Sequence, residues 1–340
     1  MRAIPIDQEL VLSADPVVSA VPAVLPQVLA VSRLSPLLAP GLERHFVVHD
    51  RLHETDAAAL AQQAPQLRGI AAGGESKVSA ALIEQLPALE IISVMGVGYD
   101  GVDVAAARAR GVMVTHTPDV LNDDVADLAL GLMLSAARQL PAADRFVRAG
   151  QWPAGNMPLA RKMSGARLGL VGMGRIGQAI ASRALAFGMS VSYTARSPRP
   201  QLPYTYFVDA AELAAEVDFL VIITPGGAAT RHMINAEVLK ELGKGQGQGV
   251  LVNVARGSVV DEAALIEALE QGVIAGAGLD VFEDEPRVPA RLLALPQVVL
   301  TPHVGSATAA TRQAMADLAL DNLLQHFAGR AVRTPVPECR

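Results

Sequence analysis

The chain has 340 residues, of which 51% are hydrophobic and 4% aromatic, and its formal net charge is −6. That length suffices for two domains of ordinary size, each with its own core. A mildly acidic chain has no electrostatic basis for binding nucleic acid, so we expect no such partner. The single cysteine, Cys339, excludes an internal disulfide and a cysteine-rich zinc site, so we predict no metal site and a cytoplasmic location.

The first 26 residues are rich in proline and small residues without a clear period, and we interpret residues 1–26 as an N-terminal extension. Residues 16–32 carry no charge, but Pro22 and Pro26 interrupt them and no basic start precedes an apolar core. We therefore expect no targeting segment and no membrane partner.

From Val28 onward, short apolar runs alternate with helical patterns. Strands are predicted near 28–32, 46–49, 69–72, 90–95 and 112–115, with helices near 38–45, 57–63, 79–86 and 104–110. This alternation is typical of an α/β unit with a mostly parallel sheet.

A long helical pattern follows over residues 123–149. Pro141 lies inside it and cannot donate to the helix ladder, which predicts a kink or a break into two helices. The first half is apolar on nearly every side, which predicts burial either within the chain or against another subunit.

Residues 167–177 read R-L-G-L-V-G-M-G-R-I-G and carry the spacing G-x-G-x-x-G at Gly172, Gly174 and Gly177. In a strand–turn–helix, such glycines permit the turn, the approach of a pyrophosphate and close packing of the helix on the strand. The spacing alone is weak evidence for a dinucleotide site, but the apolar run before it and the helical pattern after it fit a strand and a helix. Further strands are predicted near 190–193, 219–223, 249–254, 274–279 and 298–300, with helices near 211–216, 233–242, 261–271 and 306–327.

The fold class is therefore α/β, with two Rossmann-like, doubly wound domains, mostly parallel sheets and a cleft between them. Dinucleotide folds of this kind usually hold NAD through an acidic residue about 20 positions beyond the glycines. No acidic residue occurs from Gly177 to Val208, and T-A-R-S-P-R stands at 194–199 instead. Arg196 and Arg199, with Ser197 as a further donor, favour NADPH (NADP), while NADH remains possible. The alternative is that both arginines are merely solvated.

Three late segments each carry one ionisable residue near the end of a predicted strand: Arg256, Glu285 and His303. Hydride transfer to a 2-keto acid needs such a set, in which Arg256 binds the carboxylate, His303 delivers the proton and Glu285 holds the imidazole. Taken singly, each residue also fits an ordinary role: Arg256 a salt bridge in a turn, Glu285 a surface acid, and His303 a loop residue.

With the glycine motif, the segments N-V-A-R-G-S-V-V-D (253–261), G-L-D-V-F-E-D-E-P (278–286) and T-P-H-V-G-S-A-T (301–308) resemble the D-isomer-specific 2-hydroxyacid dehydrogenase family. The resemblance implies a catalytic triad of Arg256, Glu285 and His303. It implies a flavodoxin-like substrate-binding domain over 27–116 plus 307–340, and a dinucleotide-binding Rossmann domain over 117–306.

The resemblance also implies ligand contacts. The substrate carboxylate would meet backbone N–H groups of Val97 and Gly98, with a closing loop at Ala72, Gly73 and Gly74, and Asp280 would lie beside the nicotinamide carboxamide. Further cofactor contacts are expected from Arg175, Ile176, Thr224, Pro225, Val254, Ala255, His303 and Gly305.

Within the family, T-A-R-S-P-R and V-L-N-D-D-V-A-D-L-A are most similar to the NADPH-dependent glyoxylate/hydroxypyruvate reductases. That resemblance implies a small 2-keto acid substrate and a homodimer joined through residues 123–149. In such a dimer, Trp152 either reaches the substrate pocket of the partner subunit or has a plain packing role. Asp127 stands where many members have glutamate, which weakens the subgroup assignment.

Several alternatives stay open. The C-terminal-binding transcriptional corepressors resemble the same family and bind the dinucleotide as a ligand. A member acting with NAD on formate, phosphite or phosphoglycerate is a further possibility. No tyrosine is followed by lysine four residues later, which argues against short-chain reductases, and a zinc alcohol dehydrogenase would need several cysteines.

Overall fold

A computed structural model of the chain describes residues 24–244 and 249–340. Most of the predicted N-terminal extension therefore lies outside the described residues. Among the described residues, no helix combines the length and the apolar character needed to cross a membrane.

Five strands form the first sheet: β1 (Gln27–Ala30), β2 (Val47–Asp50), β3 (Leu67–Gly73), β4 (Ile91–Met95) and β5 (Met113–Thr115). Their order is β2-β1-β3-β4-β5 and every neighbouring pair is parallel, which is the order of flavodoxin-like sheets. Every residue of β4 is buried, because a parallel sheet is covered by helices on both faces. The helices between these strands are α1 (Ala39–His45), α2 (Leu52–Thr55), α3 (Ala57–Gln63), α4 (Ala80–Gln85) and α5 (Val104–Ala109).

Seven strands form the second sheet: β6 (Arg167–Val171), β7 (Ser190–Thr194), β8 (Thr205–Phe207), β9 (Phe219–Ile222), β10 (Val250–Asn253), β11 (Gly276–Leu279) and β12 (Val298–Leu300). Their order is β12-β11-β10-β9-β6-β7-β8, and all pairs are parallel. The chain direction across the sheet reverses between β6 and β9. In open α/β sheets, ligands bind in the crevice at such a switch point.

The remaining helices are α6 (Asn122–Arg138), α7 (Leu140–Arg148), α8 (Arg175–Ala186), α9 (Ala210–Ala215), α10 (Ala236–Gly243), α11 (Glu262–Glu270), α12 (Ala290–Leu293) and α13 (Ala309–Phe327). Short 3-10 turns cover Trp152–Ala154, Gly257–Val259 and Pro337–Cys339. The prediction of two doubly wound α/β units with mostly parallel sheets is confirmed.

Polar side chains at the N-cap start many of these helices. Each side chain accepts a hydrogen bond from a backbone N–H two or three residues later, which satisfies a donor left free by the helix end. The capping residues are Asp56, Ser79, Asp103, Asp209, Asn235, Asp261 and Thr308. The caps at Asn235 and Thr308 explain why α10 and α13 begin three residues after the predicted starts at 233 and 306.

The long helical pattern is broken as predicted, at Gln139, whose φ of 51° lies in the left-handed region. Pro141 follows in the first turn of α7, where a missing N–H costs least. The two halves differ in burial. Helix α6 packs on α8 and on β10 and β11 within the same chain, whereas α7 has no buried residue.

After the second sheet, α13 carries the chain back to the first. Ser93 in β4 donates its hydroxyl to the Ala319 carbonyl of α13 at 2.9 Å. Thr115 forms an antiparallel bridge with Pro335. The domain bounds at 27–116, 117–306 and 307–340 stay a prediction.

Candidate active site

The residues selected from the sequence follow the carboxyl ends of the parallel strands of the second sheet. Gly172 follows β6, Thr224 follows β9, Val254 follows β10 and Asp280 follows β11. These segments therefore line one edge of the sheet, at and beside the switch point.

The glycine loop has the geometry expected for a phosphate site. Gly172 has a φ of 112°, and a Cβ there would lie 2.6 Å from the carbonyl oxygen of Ile223. A Cβ on Gly177 would overlap the carbonyl of Gly172, so both positions require glycine. Gly174, the N-cap of α8, has nothing within 4 Å of its Cβ position. This open space at a helix N-terminus fits the pyrophosphate of a dinucleotide, because free N–H groups and the helix dipole both favour an anion.

The loop after β7 places Arg196 and Ser197 at the surface and Arg199 partly buried. The Arg199 backbone N–H donates to the Tyr193 hydroxyl at 2.6 Å, which ties the loop to the strand. The loop that carries both arginines is therefore held at the strand end, where the adenosine ribose of a dinucleotide normally lies in this fold.

The other residues predicted to contact the cofactor lie at the start of α8 and in the loops after β9 and β10. Arg175 pairs with Asp119 at 2.9 Å, and both side chains are more than half exposed. Pro225 accepts a hydrogen bond from the Thr230 hydroxyl through its carbonyl at 2.7 Å. Val254 and Ala255 are buried. Ile176 is partly buried and Thr224 lies beside Pro225 in the loop after β9.

Asp280 is almost wholly buried and organises the segment that carries His303. One carboxylate oxygen accepts from the Thr301 hydroxyl at 2.7 Å and the Val304 N–H at 2.8 Å. The other accepts from the Gly305 N–H at 2.8 Å. The predicted contact of Asp280 with the nicotinamide stays a prediction, and its observed partners are all in the 301–305 turn.

His303 and Glu285 form a hydrogen-bonded pair in the site. The His303 Nδ1–H donates to Oε2 of Glu285 at 2.8 Å, because a carboxylate can only accept. The Glu285 hydrogen bond raises the pKa of His303 above its ordinary value, although burial and Arg256 oppose the shift. For Glu285, burial pushes the pKa up, but the hydrogen bonds from His303 and the Phe282 N–H outweigh it and lower the pKa. The imidazole is thus oriented and favoured in its charged form.

Arg256 reaches from the second sheet to the first. Buried Asn253 donates to the Arg256 carbonyl at 2.9 Å and accepts from the Ala255 N–H at 3.0 Å, which fixes the turn after β10. The guanidinium Nε then lies 3.2 Å from Oδ1 of Asp100 in the loop after β4. Its Nη2 lies against Gly98, where a Cβ would overlap it.

The predicted substrate loops meet Arg256 from the side of the first sheet. Gly73 ends β3, and the Gly73 N–H donates to the Ser76 hydroxyl at 2.8 Å. The Val97 carbonyl accepts from Nδ1–H of His116 at 3.0 Å. Burial lowers the pKa of His116. Gly98 follows, and Ala72 and Gly74 flank Gly73.

Three residues beside the site were not among the sequence candidates: Glu75, Asp100 and Asn253. Asn253 opens the segment 253–261 that carries part of the resemblance, and Asp100 lies two residues after Gly98, so a polar residue type in or beside these segments is the signal that could have identified them. Asp127 is not part of the site, because its carboxylate pairs with Arg183 of α8 at 2.5 Å.

The chain is similar to a known protein family and to several named reductases. Residues 130–305 match the family model described as D-isomer specific 2-hydroxyacid dehydrogenase, NAD binding domain. A hydroxyphenylpyruvate reductase from Plectranthus scutellarioides is 49% identical over 82% of this chain and 88% of its own length. A 2-ketogluconate reductase from Gluconobacter oxydans is 43% identical over 92% of this chain and 98% of its own.

Among solved structures, a glyoxylate/hydroxypyruvate reductase from Sinorhizobium meliloti is similar, with a TM-score of 0.86 and 46% sequence identity. The alignment covers 92% of this chain and 97% of that one. That protein is described as NADPH-dependent and was crystallised in complex with NADP and malonate.

Proposed function

The chain belongs to the D-isomer-specific 2-hydroxyacid dehydrogenase family, and on that basis we propose that it is an NADPH-dependent reductase of small 2-keto acids such as glyoxylate and hydroxypyruvate. The product is the D-2-hydroxy acid. The observation that carries the proposal is the meeting of Arg256 with the hydrogen-bonded pair His303 and Glu285 at the carboxyl ends of the strands. Relatives described as glyoxylate, hydroxypyruvate, hydroxyphenylpyruvate and 2-ketogluconate reductases support this substrate class.

The proposed roles of the residues follow from their chemistry. A reduced nicotinamide bound at this site would supply the hydride for C2 of the keto acid. Arg256 holds the substrate and polarises the keto oxygen, and backbone N–H groups of Val97 and Gly98 bind the carboxylate. His303 delivers the proton to the developing alkoxide from Nε2, since its Nδ1 is engaged with Glu285. Glu285 offsets the charge of the imidazolium before that transfer.

Preference for NADPH is the second part of the proposal. Arg196 and Arg199 with Ser197 would hold the 2′-phosphate, and no carboxylate between 177 and 208 competes for the ribose hydroxyls. The NADPH-dependent relative from Sinorhizobium meliloti supports this preference. NADH is expected to serve as a poorer donor.

A homodimer is the third part. Apolar side chains are exposed along α7 and the segment after it, including Leu140, Val147, Trp152 and Leu159, the last of them fully exposed. Clusters of this kind mark protein interfaces. Covering them with a second copy would remove this apolar surface from water, and Trp152 would then face the partner. The cytoplasmic location stays a prediction.

The test is an assay of NADPH absorbance with glyoxylate, hydroxypyruvate, 2-ketogluconate and hydroxyphenylpyruvate, repeated with NADH, followed by chiral analysis of the product. We expect turnover with at least one of these acids and a D product. The variant H303A should lower kcat by roughly 100- to 10,000-fold, whereas R256A should mainly raise KM. Turnover restricted to formate or phosphite with NAD, or wild-type rates in both variants, would contradict the proposal.

A further inference from the structure

Glu75 lies between the two cationic groups of the site, although it comes from the loop after β3. Its Oε1 is 3.6 Å from Nδ1 of His303 and 3.8 Å from Nε of Arg256. The side chain is 53% exposed, so it borders the cleft rather than the protein interior. Glu75, Glu285 and His303 bring carboxylate and imidazole atoms within 4.8 Å of one another.

The backbone around Glu75 is held on both sides. The buried Ser76 accepts from the Gly73 N–H through its hydroxyl at 2.8 Å. Gly74 packs against Gly96 of the loop after β4 so closely that a Cβ on Gly96 would lie 2.7 Å from the Gly74 Cα. The position of Glu75 therefore follows from the fold of the first sheet.

The charges around His303 come from four segments of the chain. Glu285, from the segment after β11, accepts the hydrogen bond from Nδ1–H of His303, and Glu75, from the loop after β3, adds a second negative charge without displacing that bond. Arg256, from the turn after β10, adds a positive charge, which is partly offset by Asp100 from the loop after β4. Two cations this close repel each other, and a carboxylate within 4 Å of both offsets that repulsion.

We propose that Glu75 is a positioning residue whose carboxylate favours the charged His303 imidazolium beside the Arg256 guanidinium, so that the proton donor and the substrate clamp coexist. The inference deepens the proposed function and rests on it for its catalytic meaning. The electrostatic effect of Glu75 on the pKa of His303 acts in the same upward direction as that of Glu285. Because Glu75 belongs to the first sheet and His303 to the second, this support is available only while the two sheets face each other as they do here.

The test is an NMR titration of the His303 imidazole in the full-length chain with NADP bound, in the presence of EDTA so that no metal ion occupies the carboxylates. H303A identifies the signal. In E75Q we expect the ratio of charged to neutral imidazole, at a pH near the wild-type midpoint, to fall roughly 3- to 10-fold. The variant E75D, which keeps the charge, should recover most of the loss. E84Q, which removes an exposed carboxylate from α4 in the same unit, should titrate like the wild type.

An unchanged ratio in E75Q, or an equal fall in E84Q, overturns the proposal. The titration needs no turnover, so it decides the role of Glu75 even if no 2-keto acid is reduced, an outcome that would refute only the proposed function. Where reduction is measurable, kcat/KM in E75Q should begin to fall at lower pH than in the wild type. A loss of kcat/KM with an unmoved titration would assign Glu75 a purely structural role and would also overturn the proposal.

Discussion

The guanidinium Nε of Arg256 lies 3.2 Å from Oδ1 of Asp100, and this ion pair connects the loop after β10 in the second sheet with the loop after β4 in the first. The pair is mostly shielded, with side-chain exposures of 19% and 28%. The residue that we propose to bind the anionic substrate is thus already oriented by a carboxylate from the opposite wall. If Arg256 binds the substrate as proposed, this contact couples substrate affinity to the relative placement of the two sheets.

The first prediction concerns that contact. In D100N, Arg256 loses a charged partner but keeps its neighbours, so its orientation should become less defined. Hydrogen bonds to charged groups contribute about 1.5–3 kcal/mol, and we expect KM for the keto acid to rise roughly 10- to 100-fold with a smaller change in kcat. Steady-state kinetics measure this. The control D317N removes an exposed carboxylate of α13 and should leave KM unchanged. Equal KM values in D100N and wild type would show that Arg256 is held by other groups.

The second prediction uses the contact between Gly98 and Arg256. A Cβ at Gly98 would overlap Nη2 of Arg256, and the long side chain can move away without disturbing the backbone. G98A should therefore lose most of its kcat/KM, about 100-fold or more by the cost of misplaced reacting groups, while its Tm stays near that of the wild type. Kinetics and thermal unfolding measure the two effects. In G131A, where the added methyl group of α6 meets nothing within 4 Å, both should be preserved. Wild-type activity in G98A would contradict the placement of Arg256.

The third prediction concerns pH. The hydrogen bond from His303 to Glu285 raises the pKa of His303, so the imidazolium persists to higher pH. Reduction needs this proton, and its kcat/KM should be level at low pH and fall as pH rises through the raised pKa. Oxidation of the hydroxy acid needs the neutral ring and should show the opposite limb. In E285Q both limbs should move to lower pH, whereas E43Q, on α1, should leave them in place. Profiles that do not move in E285Q would remove Glu285 from the proton transfer.

The fourth prediction concerns the cofactor. R196D replaces a cation that we propose to bind the 2′-phosphate with a carboxylate, which can accept hydrogen bonds from ribose hydroxyls. The ratio of kcat/KM for NADPH to that for NADH should fall roughly 10- to 100-fold, because a charge-assisted bond is lost. The same charge change at the surface of α1, R44D, is the control and should leave the ratio unaltered. An unaltered ratio in R196D would mean that the arginines after β7 do not bind the phosphate.

Most of the architecture was accessible from local patterns. Apolar runs of strand length placed eleven of the twelve strands in the described residues, and Pro141 placed the break between α6 and α7. The exception, Thr205–Phe207, is a three-residue edge strand without a buried residue, and such a strand leaves no apolar period to read. The starts of α10 and α13 shifted because capping by Asn235 and Thr308 depends on side-chain hydrogen bonds rather than on hydrophobicity.

The residues of the candidate site also differ in whether local patterns in the sequence could identify them. Gly172, Gly174 and Gly177 could be chosen from the sequence because strand, turn and helix are adjacent in the chain, and spacing along the backbone then sets distance in space. Arg256, Glu285 and His303 could be chosen as groups of the right chemistry at strand ends. Their distances could not, since they depend on how separate loops fold back over one edge of the sheet.

Glu75 and Asp100 could not be identified as site residues from the sequence. They stand 228 and 203 positions before His303 (303 − 75 and 303 − 100), and their charges matter only because the two sheets face each other across the cleft. Local periodicity carries no information about which side chains of the two sheets come close to each other. Side chains from different sheets become neighbours through packing of the whole chain, and their electrostatic effect depends on a few ångströms that only that packing sets.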